Sequence, residues 1–284
     1  FFASLSHAIE SPNVKPILTP ELEAKAEIRN ALANKKHEVY GSPWSSDSTA
    51  TLNVLRPFAE YETASTLIMS GYTNYTSLPI KTGILQNLPE SVKVYLYVDV
   101  QGDVEPTFNK FSKYIDPSRL EVVAFDAGGD GFWARDGIPI PLYLKSSPTN
   151  LGITGAEYYH DFEPDELVAN LFQVPLQEHE YYFEGGNFLT DTKSNCWIVN
   201  NKRVESVPDT IFTAYYGCKS LHRLKHIKGI GHIDESIKFL SDTEALTDLP
   251  EYVNELENSG FHVTLVPRPS KKYETYINSL LINE

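Results

Sequence analysis

From Leu67 onward the chain alternates between short strand-like runs and helical stretches, and this limits the folds open to it more than any other feature. Ser65 to Met69 reads as a strand, and Val92 to Val98 alternates from face to face as a strand does. Glu105 to Tyr114 suits a helix and Leu120 to Phe125 a further strand. Pro164 to Leu171 reads as helical, and Tyr181 to Leu189 and Cys196 to Asn200 as extended. Leu249 to Ser259 is expected to form a helix stopped by Gly260, where a C′ glycine belongs. Phe261 to Val266 and Tyr276 to Ile282 close the pattern as strands. Paired strands with intervening helices, several times over, indicate α/β or mixed architecture.

The first 53 residues have a different texture. Thr19 and Pro20 resemble an N-cap and first turn, and Glu21 through Lys35 reads as a helix rich in Ala, Glu and Lys. Gly41 to Thr51 is polar and turn-like. The chain therefore divides into an N-terminal extension with a helix, residues 1–53, and a main domain over 54–284.

A length of 284 residues, with 41% hydrophobic and 12% aromatic content, is enough to bury a sizeable core. The formal charge of −14 argues against a nucleic-acid partner, because nothing offsets phosphate repulsion. The same charge suits a cationic substrate, though it also serves plain solubility. No apolar run approaches the roughly 18 residues a membrane span needs. The first residue is Phe1 and the only methionine is Met69, so a missing leader says little about export. A secreted or periplasmic location is expected over a cytoplasmic one, and Asn74-Tyr75-Thr76 would be a glycosylation acceptor in a eukaryotic secreted protein. Cys196 and Cys218 are the only cysteines, too few for a disulfide scaffold or a zinc site of the usual spacing. Cys196 falls in a strand-like run and reads as a small core hydrophobe; Cys218 lies nearer polar residues. His222, His226 and His262 have no ligand-like spacing, so neither a metal nor a cofactor is expected.

Three segments could carry chemistry. In Gly231-His232-Ile233-Asp234 an extended backbone would put His232 and Asp234 on one face and Ile233 in the core. A carboxylate beside the imidazole would hold its proton near neutral pH, ready for general-acid work. Alternatively Asp234 caps a helix beginning at Glu235. Trp133, Arg135 and Asp136 sit between Gly128-Gly129 and Gly137. A planar guanidinium wants carboxylates at its edge and an aromatic face to stack on, which Asp136 and Trp133 could supply. Equally, Arg135 and Asp136 could form a structural ion pair. Glu184-Gly185-Gly186-Asn187 follows an aromatic strand, and its paired glycines would let backbone approach a ligand or another strand closely. Asn278 is a weaker candidate on its own.

Taken in order, Arg56-Pro57-Phe58-Ala59-Glu60-Tyr61-Glu62, Trp133-x-Arg135-Asp136-Gly137, Glu184-Gly185-Gly186-Asn187, Gly231-His232-Ile233-Asp234 and Tyr276-x-Asn278 resemble the guanidine-modifying superfamily. The resemblance is to its bacterial peptidylarginine deiminase and agmatine deiminase branch, and runs from about residue 54 to the end. It implies an α/β pentein fold, a pseudo-fivefold propeller of ββαβ modules. It also implies attack by a cysteine on the guanidinium carbon. Asp136 and Asp234 would hold the guanidinium nitrogens. His232 would protonate the departing ammonia and then activate the water that hydrolyses the thiouronium intermediate. Trp133 would wall the pocket and Asn278 would line it. Arg135, Glu184 and Asn187 would join the substrate-binding set, with Glu184 a loop-positioning residue. The family nucleophile lies near the C-terminus, and neither Cys196 nor Cys218 matches it. The fold is therefore expected to lack its last module here, with a C-terminal companion segment carrying the thiol.

Gly185 to Asp191 and the region from Ile68 to Tyr97 look more like the protein-directed branch. The expected reaction is conversion of arginine in a protein or peptide to citrulline plus ammonia. Agmatine, converted to N-carbamoylputrescine for polyamine biosynthesis, is the alternative small substrate. Amidinotransfer is a third possibility, and a non-catalytic guanidinium-binding protein a fourth.

Overall fold

The computed structural model describes residues 20–40, 52–74, 77–128, 131–158, 162–270 and 275–282. Thr19, Gly129, and Tyr75 and Thr76 of the possible glycosylation acceptor lie outside the described residues. After helix α1 (Pro20–Tyr40) comes strand β1 (Val54–Pro57), and then a run of alternating elements. The first sheet takes β2 (Thr66–Ser70), β3 (Lys93–Val98) and β4 (Leu120–Ala124), all parallel, in the order β2-β3-β4. Helices α2 (Leu78–Asn87) and α3 (Val104–Phe111) make the crossovers. Parallel neighbours need such helical connections, and these two bury Leu85 and Phe111 among Met69, Val94, Leu96 and Leu120.

After α4 (Ala134–Gly137), a single helical turn, one ββαβ pattern occurs three times. Strands β5 (Ile140–Leu144) and β6 (Ser147–Glu157) pair antiparallel; α5 (Asp165–Phe172) then leads to β7 (Leu176–Tyr182), parallel to β6. Strands β8 (Leu189–Thr190) and β9 (Asn195–Asn200) repeat it through α6 (Asp209–Ile211) to β10 (Ser220–Lys225). Strands β11 (Ile237–Phe239) and β12 (Glu244–Thr247) repeat it again through α7 (Pro250–Asn258) to β13 (His262–Leu265). Strand β1 extends the first of these sheets by pairing with β5. Among the described residues the expected ββαβ module thus occurs three times, beside one all-parallel sheet.

Most expected elements form within a residue or two, including α7, stopped at Gly260 with φ +95°. Three expectations need correction. The stretch Tyr181 to Leu189 is broken by a 3-10 turn over Gly185–Asn187, because the chain must bend there to approach α4. Residues 275–282 form no strand; they are held by side chains, with Thr275 Oγ1 donating to the Glu235 carbonyl at 2.8 Å and Lys238 Nζ to that of Ser279 at 2.6 Å. Cys196 and Cys218 are not independent core thiols but a buried disulfide, Cα atoms 5.7 Å apart, tying β9 to the approach to β10. Among the described residues no helix is long and apolar enough to cross a membrane.

Candidate active site

The repeat positions the site. Directly ahead of the first strand of each ββαβ unit lies one short helical turn: α4 before β5, Gly185–Asn187 before β8, and Ile233–Glu235 before β11. Asp136, Glu184-Gly185-Gly186 and His232-to-Asp234 occupy or flank those three turns, so the fold brings together segments about 50 residues apart. The Gly185–Asn187 turn is anchored by Phe183 and Phe188, buried on either side of it and packed edge to face with ring centroids 6.2 Å apart.

Gly186 marks the point of convergence. Its N–H donates to Asp136 Oδ1 at 3.0 Å. A Cβ added there would lie 2.4 Å from Asp136 Oδ1, 2.7 Å from His232 Nδ1 and 3.2 Å from Asp234 Oδ2. At Gly185 the same atom would lie 2.3 Å from the Arg135 carbonyl oxygen. The paired glycines therefore permit close approach, as the sequence suggested, and what approaches is the rest of the site.

His232 is buried and held at Nε2, 2.9 Å from Glu184 Oε2, while Nδ1 makes a longer ion-pair contact, 3.4 Å, with Asp136 Oδ1. Its principal carboxylate partner is Glu184, not Asp234 two residues away, because the chain leaves the extended conformation after His232 and turns over Ile233–Glu235. That turn also removes the alternative in which Asp234 caps a helix, while Ile233 is fully buried, as expected. Burial works against a charged imidazole, but Asp136 and Glu184 outweigh it and lift His232 to about 9. Glu184 is more than a loop-positioning residue. Its carboxylate also pairs with the buried guanidinium of Arg203 at 3.0 Å; burial opposes its charge, but Arg203 and His232 prevail and hold it down at about 2.

Asp136 and Asp234 behave oppositely. Burial pushes each up to about 6, with His232 pulling back in both cases. Asp234 Oδ1 is buried and has no hydrogen-bond partner among the described residues. A buried carboxylate oxygen left unmatched is costly, on the order of 1–3 kcal/mol or more.

The remaining candidates divide. Trp133 is part-buried, its carbonyl accepts from the Asp136 N–H at 3.0 Å, and its ring packs edge-on against Phe132 at 4.7 Å, with the loop pinned by Ser70 Oγ donating to the Phe132 carbonyl at 2.8 Å. Arg135 is exposed; its guanidinium donates to the Phe188 carbonyl at 2.8 Å and its charge favours ionised Asp234. Asn187 is buried with its carboxamide committed to Val199, donating to the carbonyl at 2.9 Å and accepting from the N–H at 2.8 Å. Its geometry positions the turn and does not point at a ligand. Asn278 is exposed on the irregular 275–282 stretch, outside the buried cluster. In the first motif, Arg56 and Glu62 form a bidentate ion pair at 2.7 and 2.5 Å, and Glu60 reaches Lys238 on β11 at 2.6 Å. Sequence reasoning missed Arg203, an isolated arginine in a polar stretch that no spacing ties to Glu184.

No family model and no curated protein matches this sequence. Solved structures do. An agmatine deiminase from C. jejuni with substrate bound aligns at TM-score 0.64 and 16% identity, over 80% of this chain and 80% of that one. An Enterococcus faecalis agmatine deiminase aligns at TM-score 0.59 and 11% identity, over 81% and 77%. A provisionally assigned peptidyl-arginine deiminase aligns at 0.60 and 15%, over 80% and 83%. These likenesses show that the chain shares the fold of these deiminase structures.

Proposed function

We propose that this site binds a guanidinium group and takes part in its hydrolysis to a ureido group and ammonia. The observation that carries the reading is the convergence of Asp136, His232 and Asp234 on Gly186, with one buried Asp234 oxygen lacking a donor. A planar cation with parallel N–H groups matches two carboxylates whose burial disfavours their charge until a cation arrives. His232, held protonated, is the acid for the departing ammonia; once it has given up that proton it is the base for the incoming water. Trp133 stands ahead of the Asp136 turn as the aromatic face for the cation, Glu184 orients His232, Asn187 holds the turn, and Arg135 favours ionised Asp234. Asn278 joins only if the 275–282 stretch folds inward with substrate.

In this chemistry a thiolate attacks the guanidinium carbon, the C–N bond to the leaving nitrogen breaks with His232's proton, and water then releases the thiol. Cys196 and Cys218 are bonded to each other, so neither is free to be the attacking thiol, and turnover on this reading requires a thiol from elsewhere. The same disulfide favours a secreted or periplasmic setting, because such bonds persist in oxidising compartments. One alternative gains weight from that bond: a guanidinium-binding protein with no turnover.

The guanidinium head is common to agmatine and to arginine in a peptide. Sequence features around Gly185 to Asp191 favour the peptide, and the agmatine deiminases among the similar structures favour the small amine. The test is ammonia and ureido-product release from an arginyl peptide and from agmatine, using the longest natural form of the protein. Citrulline from the peptide assigns a protein-directed deiminase; product from agmatine alone assigns the small-substrate enzyme. Binding of both with release from neither leaves the binding protein. Absence of binding refutes the proposal.

A further inference from the structure

Helix α1 lies outside the part of the chain that carries the deiminase resemblance, yet its inner face is built against the site. Ala26 and Ala33 are buried and small enough for close approach to β7. Asn30 is fully buried, and its carboxamide spans two distant segments: Nδ2 donates to the Arg203 carbonyl at 2.7 Å, and Oδ1 accepts from the Tyr182 N–H at 2.8 Å. One turn along, Asn34 repeats the bridge. It donates to the Ser206 carbonyl at 3.0 Å and accepts from the Tyr181 hydroxyl at 2.9 Å. Residues four apart share a helix face, so the two asparagines are successive rungs between the end of β7 and the 203–206 turn.

Both bridged segments lead to His232. Tyr182 is two residues ahead of Glu184. Arg203 contributes its guanidinium to Glu184 and, at 2.8 Å, to the Ile230 carbonyl; neighbouring Asn201 Nδ2 donates to that of Gly231 at 3.0 Å. Glu184 then meets His232 Nε2. We infer that α1 is a positioning element of the guanidine site, its Asn30 and Asn34 rungs fixing the Arg203–Glu184 pair against which His232 is oriented. The inference rests on the proposed role of His232, but its geometry is tested separately. The charged groups facing His232 are Asp136 from α4, Glu184 from the turn before β8, Arg203 from the 201–207 turn, and Asp234 and Glu235 on its own turn; Arg135 and Lys238 act on Asp234. Of these, Glu184 and Arg203 are the two held through Asn30.

The experiment is an NMR titration of the His232 imidazole nitrogens in the intact protein, its Asn30→Ala and Asn34→Ala variants, and Arg29→Ala as comparator. Arg29 also anchors α1, through Glu157 at 3.0 Å, but touches neither bridged segment in that contact. The Asn30→Ala midpoint is expected to fall from about 9 by about one pH unit, because loosening Glu184 weakens one of the two carboxylates that oppose burial and leaves Asp136 as the main one. Asn34→Ala moves it the same way by less, and Arg29→Ala leaves it in place. Where turnover is measured, kcat falls about tenfold in Asn30→Ala with KM little changed, as expected when a proton-transfer group is less well positioned. If Asn30→Ala does not fold, the half-buried Asn34 carries the test. A His232 midpoint unmoved in every asparagine variant that folds overturns the inference. Absence of guanidine hydrolysis in the wild-type protein would overturn the proposed activity alone, since the titration is decided without it.

Discussion

Replacing Gly186 with alanine separates the site from the fold. The added methyl would sit 2.4 Å from Asp136 Oδ1 and 2.7 Å from His232 Nδ1, where ordinary contact begins near 3.4 Å. The Asp136 oxygen must therefore retreat by about 1 Å, straining its hydrogen bond from the Gly186 N–H. A misplacement of about 1 Å in a positioned group costs on the order of 100-fold in turnover, equivalent to about 2.7 kcal/mol. The fold should survive. The atoms that must yield are side-chain ends, and overpacking of this kind costs about 1–3 kcal/mol, or several degrees in Tm for a chain of this size. Gly185→Ala should do the reverse damage, because its methyl meets the Arg135 backbone carbonyl at 2.3 Å and backbone cannot swing aside. Ammonia release and calorimetric titration with agmatine and an arginyl peptide, using the longest natural form of the protein, with thermal melts of both variants, read the contrast. Gly186→Ala binding these ligands as wild type does would refute the placement of the cation beside Gly186.

Other expectations follow from the same geometry. Guanidinium affinity should climb as pH rises through about 6, where Asp136 and Asp234 ionise, and turnover should fall again above about 9 as His232 loses its proton; a pH series of both checks it. Because the folded imidazole lies above its ordinary 6.5, the stability it contributes is complete below pH 6.5 and disappears as pH passes through about 9, visible in the melting temperature. Reducing the Cys196–Cys218 bond, which closes a loop of sequence separation 22, should cost about 3 kcal/mol in denaturant unfolding; identical curves with and without reductant would contradict the bond. Asn187→Ala strands the Val199 N–H and carbonyl in the core, and should lower stability by about 3 kcal/mol in the same assay.

Much of this site is legible in the residues themselves. Periodicity marks β3, β4 and α7, and the Gly185-Gly186 pair announces a close approach before its partner is known. What stays hidden depends on register and turns. The disulfide emerges only when β10 pairs parallel with β9 and Leu221 falls opposite Cys196, which brings Cys218 alongside. The Glu184–His232 contact spans 48 residues and needs the 3-10 turn that rotates Asp234 out of an extended line. Tyr276 to Ile282 has strand-like composition, but a strand needs a neighbour to pair with, and among the described residues this stretch has none. The Asn30 bridge to Arg203, across 173 residues, has no local signal at all.

The central claim is that Asp136, His232 and Asp234 form a receptor for a guanidinium ion, and Asp234→Asn tests it most directly. The substitution keeps shape and removes a charge that burial already disfavours, so above pH 6 the variant should fold at least as stably as wild type. Titration calorimetry at pH 8 should show wild-type protein binding agmatine or an arginyl peptide and the variant binding at least about tenfold more weakly. Equal affinity in the two proteins would contradict the account.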